Sequence, residues 1–176
     1  LDKLTRLIDD LLDTNRISQG HLLLQKTLIP VSELFKECCD HVINAGTHQI
    51  VFTGNQDVNV YADEQQINQV LVNFVNNAVK YAPNSNEIVI GVEQLENQLK
   101  ISITDKGPGI PAEKLSYLFE RYYRADHSGA KFSGLGLGLY ISSEIIKKHG
   151  GAIGVESTVG RGSTFWFTLP LTGSAV

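Results

Sequence analysis

The chain has 176 residues, with 19 acidic side chains against 15 basic ones and a formal net charge of -4. That balance, without any basic run, excludes a general attraction to nucleic acid or to an anionic membrane surface. Hydrophobic residues make up 42%, enough to fill the core of one compact domain with an appendage. No apolar run approaches the ~20 residues that span a bilayer, and no signal peptide opens the chain. The adjacent Cys38 and Cys39 suit no ordinary disulfide and on a helix point in different directions, so reduced thiols and a cytoplasmic setting are expected. A chain that starts at Leu1 and lacks Met is expected to be a piece of a longer protein, with any membrane anchor upstream.

Residues 1–19 read as an amphipathic helix. Leu1, Leu4, Ile8, Leu11, Asn15 and Ser18 alternate three and four apart, the a/d spacing of a coiled coil. Leu7 and Leu12 widen that stripe as a bundle would need; a terminal helix packed on its own domain is the alternative. Gly20 ends it in the position that favours a left-handed backbone. A short strand is expected over 22–25. Pro30 opens a second helix over 31–44, with Leu34, Phe35, Cys38, His41 and Val42 on its inner side. Residues 50–53 and 58–61 read as a hairpin turning through 54–57. Asp63 is a natural N-cap for a third helix.

That third helix carries the densest chemistry. At 3.6 residues per turn, Asn73, Asn77, Lys80 and Tyr81 fall within roughly 100° of arc. Ile67, Val70, Leu71, Phe74, Val75, Ala78 and Ala82 form the apolar stripe opposite them. Beyond a loop at 83–86, residues 87–94 and 99–104 are β-patterned and joined by a polar turn at 96–98. Residues 111–119 make a short helical segment. Residues 124–134, RADHSGAKFSG, have the composition of a mobile loop. A helix over 137–148 stops at Gly150 and Gly151, and 152–157 with 163–169 closes the chain as a hairpin. This order, without regular βαβ alternation, predicts an α+β fold: an α/β sandwich with helices on one face of a mixed sheet.

Asp105-Lys-Gly-Pro-Gly109 comes directly after a strand. A carboxylate fixed there accepts from the exocyclic amine of adenine, whereas guanine would oppose it with a carbonyl. Gly107 and Gly109 permit a tight turn close to a flat ring. Alone, such a turn is weak evidence, because surface turns share its composition. Gly134-Leu-Gly-Leu-Gly138 runs into a helix, whose N-terminus of about +0.5 charge and bare peptide N–H groups suit phosphate. This is neither the dinucleotide GxGxxG nor a P-loop, and no HRD or DFG is present. Asn77 offers one neutral amide oxygen to Mg2+, which phosphates and waters must complete, so metal is expected only together with nucleotide.

These motifs together resemble the catalytic, ATP-binding domain of sensor histidine kinases over essentially the whole chain. NQVLVNFVNNAVKY is similar to the family's N box, DKGPGI to its G1 box, LFERYYR to its F box and GLGLGLYI to its G2 box, in order. The resemblance implies ATP in a deep pocket under a lid spanning about residues 111–136, with Mg2+ on Asn77. It places Asn73, Lys80 and Arg124 at the transferring phosphates, Tyr81 beside the nucleotide and Asp105 at the adenine. Gly107, Gly109 and Ile110 would border the base; Gly134, Leu135, Gly136, Leu137 and Gly138 would fold over the triphosphate. Phe119 and Tyr122 would anchor the lid. Residues 1–20 resemble the end of the second helix of the family's dimerisation hairpin, 21–172 the catalytic domain, and 173–176 form a tail.

Leu135 stands where the family usually has Thr or Ser, which removes one hydroxyl contact to phosphate, and Tyr122 stands for the more usual Phe. No phosphoacceptor box is present. Among the histidines, His41 reads as a packed helix residue, His127 as a lid residue, and His21, His48 and His149 as surface positions. The leading function is therefore transfer of the γ-phosphate of Mg2+–ATP to a histidine on a hairpin outside this chain. The implied partners are that hairpin, a second copy of the full-length protein and a cognate response regulator. Two alternatives stand beside it: a GHKL-type ATPase, opposed by an amide at Asn73 that cannot act as a general base, and a non-catalytic nucleotide-sensing module.

Overall fold

The computed structural model describes residues 2–20, 22–125 and 135–171. The expectations for Leu1, His21, His127, Gly134 and the tail 173–176 lie outside those residues, as do those for the side chains of Leu4, Leu7 and His41. Helix α1 (Asp2–Ser18) leads into β1 (Thr27–Pro30), α2 (Val31–Leu34) and α3 (Lys36–Ala45). Strands β2 (Gln49–Gly54) and β3 (Asn59–Ala62) precede the long helix α4 (Glu64–Tyr81). Then come β4 (Glu87–Gln94), β5 (Gln98–Asp105), α5 (Ala112–Leu115), α6 (Gly138–Lys148), β6 (Ile153–Thr158) and β7 (Gly162–Pro170).

Five strands form one sheet in the order β2-β4-β5-β7-β6, with β2 parallel to β4 and the other pairs antiparallel. Strict alternation turns Ile88, Ile90 and Val92 of β4 and Leu99, Ile101 and Ile103 of β5 to one buried face. The apolar stripe of α4 lands there, with Phe74 centred 5.4 Å from the Phe165 ring and 6.1 Å from Phe167. Each such side chain contributes roughly 1.5–3 kcal/mol on burial, which is what seats α4 and leaves its other face available. The expected sandwich of a mixed sheet and helices is the fold observed.

Five local expectations fail. Residues 50–53 and 58–61 are not a hairpin: β2 joins the main sheet beside β4, and β3 pairs antiparallel with β1 in a separate two-stranded sheet. The strand expected at 22–25 begins instead at Thr27, because its partner runs out at Ala62, immediately before the Asp63 cap. The helix expected over 31–44 is broken at Phe35, whose backbone (φ -89, ψ -14) lets its ring enter the core against Phe52. Cys38 and Cys39 are free, buried thiols as expected, yet their sulfurs lie 3.8 Å apart rather than diverging.

The fifth failure is His48 and His149, which are 8% and 3% exposed rather than surface residues. His48 Nε2 meets the Ala82 carbonyl at 2.9 Å, pinning the end of α4. His149 Nδ1 lies 2.8 Å from the Ile145 carbonyl and Nε2 accepts from the Asp63 N–H at 3.0 Å. Asp63 caps α4 through the Gln66 N–H, as predicted, and also accepts from the Gln25 N–H in the connector after α1. An imidazolium at His149 would have no acceptor left for Asp63. Burial accordingly lowers its pKa below the ordinary 6.5, and Lys26 adds repulsion, against the opposing Ile145 carbonyl and Asp63. In that window the unfolded chain binds more protons than the folded one, so stability is lost as pH falls through 6.5 toward the folded value. Melting temperature measured from about pH 7.5 to about pH 5 should therefore slope downward, and His149→Phe should flatten that slope. An equal slope in the variant would contradict this assignment.

Candidate nucleotide-binding site

A cavity of about 1970 Å³ opens beside the free face of α4. Asn73, Asn77, Lys80 and Tyr81 line it from that helix, Asp105, Gly109 and Ile110 from the turn after β5. Arg124 and the run from Leu135 to Gly138 close the third side. Gly107 stands just behind the wall: a Cβ there would lie 2.7 Å from Asp105 Oδ1 and 3.0 Å from the Tyr81 carbonyl. The predicted residues from three separate stretches thus converge on one space. It exceeds the roughly 300–1,000 Å³ of an ordinary ligand pocket, because it continues into a groove between α1 and α4 lined by Leu12, Asp13, Arg16 and Gln69. Gln69 Nε2 donates to Asp13 Oδ2 at 2.8 Å within that groove.

Asp105 is 5% exposed. Burial pushes its carboxyl above the ordinary range, opposed by the N–H groups of Gly107, at 2.7 Å, and Ser163. Those two donors fix where the carboxylate points. Gly109 takes φ 72 and is packed against the β6–β7 turn, where Gly160 N–H donates to Pro108 O at 2.7 Å and Ile110 N–H to Ser157 Oγ at 2.8 Å. The turn after β5 is therefore buttressed from outside the N and G1 motifs.

Lys80 Nζ lies 3.0 Å from the Tyr81 hydroxyl and 4.6 Å from its ring centroid. The cation and the ring expected to flank a ligand are thus in mutual contact at the cavity edge. Gly136 has φ 71 and its carbonyl accepts from the Tyr122 N–H at 3.1 Å. Tyr122 itself has φ 66, which turns its ring outward to 53% exposure under the Arg121 guanidinium. Its tie to the run at 135–138 is through the backbone, with the ring outside. Phe119 is half-buried against the core, and the buried anchor of this segment is Leu118. Helix α5 is shorter than expected over 111–119, ending at Leu115 and giving way to turns.

Two contributors escaped the sequence reading. Lys114 Nζ donates to the Ala125 carbonyl at 2.7 Å and holds the backbone next to Arg124; nothing in the sequence marks it. Ser142 lines the cavity one turn beyond Gly138, a spacing that could have flagged it. The N-terminus of α6 faces the cavity with Gly138 against Asn73. Among the described residues no cluster of three or more His, Cys, Asp or Glu could hold a metal. The donors present, amides on α4 and a helix N-terminus, fit a cation that arrives already bound to phosphate.

Residues 62–173 match the family described as histidine kinase-, DNA gyrase B-, and HSP90-like ATPase. The chain belongs to that ATPase family. The adaptive-response sensory kinase SasA of Crocosphaera subtropica is 36% identical over 173 residues, covering 96% of this chain and 45% of its own length. Full-length ShkA in complex with AMPPNP superposes with a TM-score of 0.85 at 26% identity, over 99% of this chain and 37% of that one. The histidine kinase ThkA in complex with the response regulator protein TrrA gives 0.74 at 29% identity, over 97% and 49% respectively. The chain thus spans less than half the length of these three relatives, of which SasA is named a sensory kinase and ThkA a histidine kinase.

Proposed function

We propose that this chain is the ATP-binding catalytic part of a sensor histidine kinase, presenting the γ-phosphate of Mg2+–ATP to a histidine on another helix. The observation that carries this reading is the convergence of a buried carboxylate, an amide-bearing helix face and a helix N-terminus on one cavity. Asp105 accepts from the adenine amine, and Tyr81 flanks the nucleotide. Asn77 supplies an oxygen to Mg2+, while Asn73, Lys80 and Arg124 face the phosphates. Leu135, Gly136, Leu137 and Gly138 supply the backbone that surrounds them. Mg2+ supplies charge neutralisation of the phosphates; the protein contributes mainly position and electrostatics.

In this reading residues 1–20 end the second helix of the dimerisation hairpin, 21–172 form the catalytic domain, and 173–176 are a tail. Half-exposed Ile8, Leu11 and Leu12 on α1 suit a bundle face. The partners are the chain's own phosphoacceptor hairpin within a homodimer and a response regulator. The setting is cytoplasmic. Among the described residues no helix is long and apolar enough to cross a membrane. The acceptor imidazole is itself the nucleophile, so the site needs no general base. A stand-alone ATPase does need one, and Asn73 cannot be it.

Incubation with labelled ATP and a separately supplied hairpin should label the hairpin. Steady phosphate release without an acceptor would favour an ATPase, and binding without transfer a sensing module. Asn77→Ala should lower Mg2+-dependent ATP affinity about tenfold or more while leaving metal-free adenosine binding intact. Unchanged Mg2+ dependence would remove Asn77 from the metal.

A further inference from the structure

Asn73 is held from across the cavity. Its Nδ2 donates to Ser142 Oγ at 3.1 Å, and that hydroxyl donates in turn to the Gly138 carbonyl one turn back, at 2.9 Å. A hydroxyl carries one proton. With that proton engaged by Gly138, Ser142 Oγ can only accept, and only the NH2 edge of the Asn73 amide can satisfy it. The amide oxygen must then point elsewhere. It lies at the first residue of α6, where a Cβ on Gly138 would come within 2.5 Å of Asn73 Oδ1. Ser142 is 1% exposed, so bulk water does not compete for this contact.

We propose that Ser142 is a positioning residue that sets the flip of the Asn73 amide, aiming its oxygen at the N-terminus of α6. The terminal torsion of Asn is broad and roughly two-fold, so an unsupported amide would sample both orientations. The Gly138–Ser142–Asn73 relay selects one of them before any ligand arrives, and it ties α4 to α6 at the point where they meet the cavity. The role of Gly138 comes from the same contact, since a side chain there would displace the amide oxygen. This inference rests on the reading that Asn73 acts at the phosphate end of the bound nucleotide.

Ser142→Ala removes both the acceptor and its orienting bond with little change in volume. The expected result is a loss of about five- to tenfold in phosphotransfer to the hairpin, with adenosine affinity within about twofold of wild type. A purely structural serine would instead lower both together with the melting temperature. The Asn73 side-chain NH2 gives a second readout by 15N NMR: one proton protected from exchange in the wild type, neither protected in Ser142→Ala. Wild-type transfer, or an unchanged Asn73 signal, would overturn the proposal. Asn73→Ala tests the underlying reading separately: full transfer in that variant would remove Asn73 from the phosphates, while the NMR comparison would still decide the relay.

Discussion

Asp105→Asn should lose ATP affinity by about 10- to 100-fold while its melting temperature stays at or slightly above that of the wild type. The two expectations come from the same geometry. Asp105 Oδ1 is already engaged by the Gly107 N–H, and Ser163 supplies a second backbone donor. An asparagine has a single oxygen to offer. With that oxygen turned to the backbone, its NH2 group faces the cavity and meets the adenine amine donor to donor. Guanine presents a carbonyl at the same place, so the preference for ATP over GTP should fall by about tenfold or more. For stability the sign is opposite. Burial raises the carboxyl above its ordinary 3.8, so the folded chain binds more protons than the unfolded chain between 3.8 and the raised value. Stability of the unliganded protein therefore declines as pH rises through that window, and above it the buried carboxylate remains a cost. A neutral amide relieves that cost. Calorimetry with ATP and GTP beside thermal unfolding checks both halves, and parallel losses in binding and stability would make Asp105 a structural residue.

Gly109→Ala should be the most damaging single methyl addition in the site. At φ 72 the new Cβ would fall 2.1 Å from the Thr158 carbonyl oxygen and 2.9 Å from Val159 Cα, all of it backbone. Nothing there can rotate away. The Asp105 turn and the β6–β7 turn would have to part, breaking the bonds from Gly160 to Pro108 and from Ile110 to Ser157. Backbone strain of about 1 kcal/mol and overpacking of about 1–3 kcal/mol add to roughly 2–4 kcal/mol. For a domain of this size that lowers Tm by roughly 5–15 °C. Gly160→Ala is the matched control. It has φ 79 but nothing within 4 Å of its Cβ, so only the strain remains, about 1 kcal/mol. Equal losses in the two variants would show that the left-handed backbone, not the close approach, sets the cost.

The contrast between what the sequence predicted well and badly has a physical pattern. Periodicity within α4, β4 and β5 told each element which face to bury, and the cavity arose because the faces left over converge. Asp63 as a cap was equally local and is observed, and the helix expected over 137–148 runs from Gly138 to Lys148. Pairing was not local. Residues 50–53 and 58–61 are patterned like a hairpin, yet each finds a partner far along the chain, β4 for one and β1 for the other. Nothing within either segment encodes that choice. His149 fails for the same reason: its place next to Gly150 resembles a surface helix end, and only the arrival of Asp63 from α4 makes it a buried acceptor. Ser142 and Lys114 contribute through tertiary contacts to backbone and amide groups, which no motif specifies by residue type.

The claim on which the rest depends is that the α4 face, the Asp105 turn and the start of α6 enclose an adenine nucleotide. Isothermal titration of the wild-type chain with Mg2+–ATP and, in parallel, with Mg2+–GTP tests it most directly. A single saturable site for ATP, with GTP at least about tenfold weaker, is the predicted result. No heat from ATP at about 1 mM, or equal affinity for the two nucleotides, would contradict it.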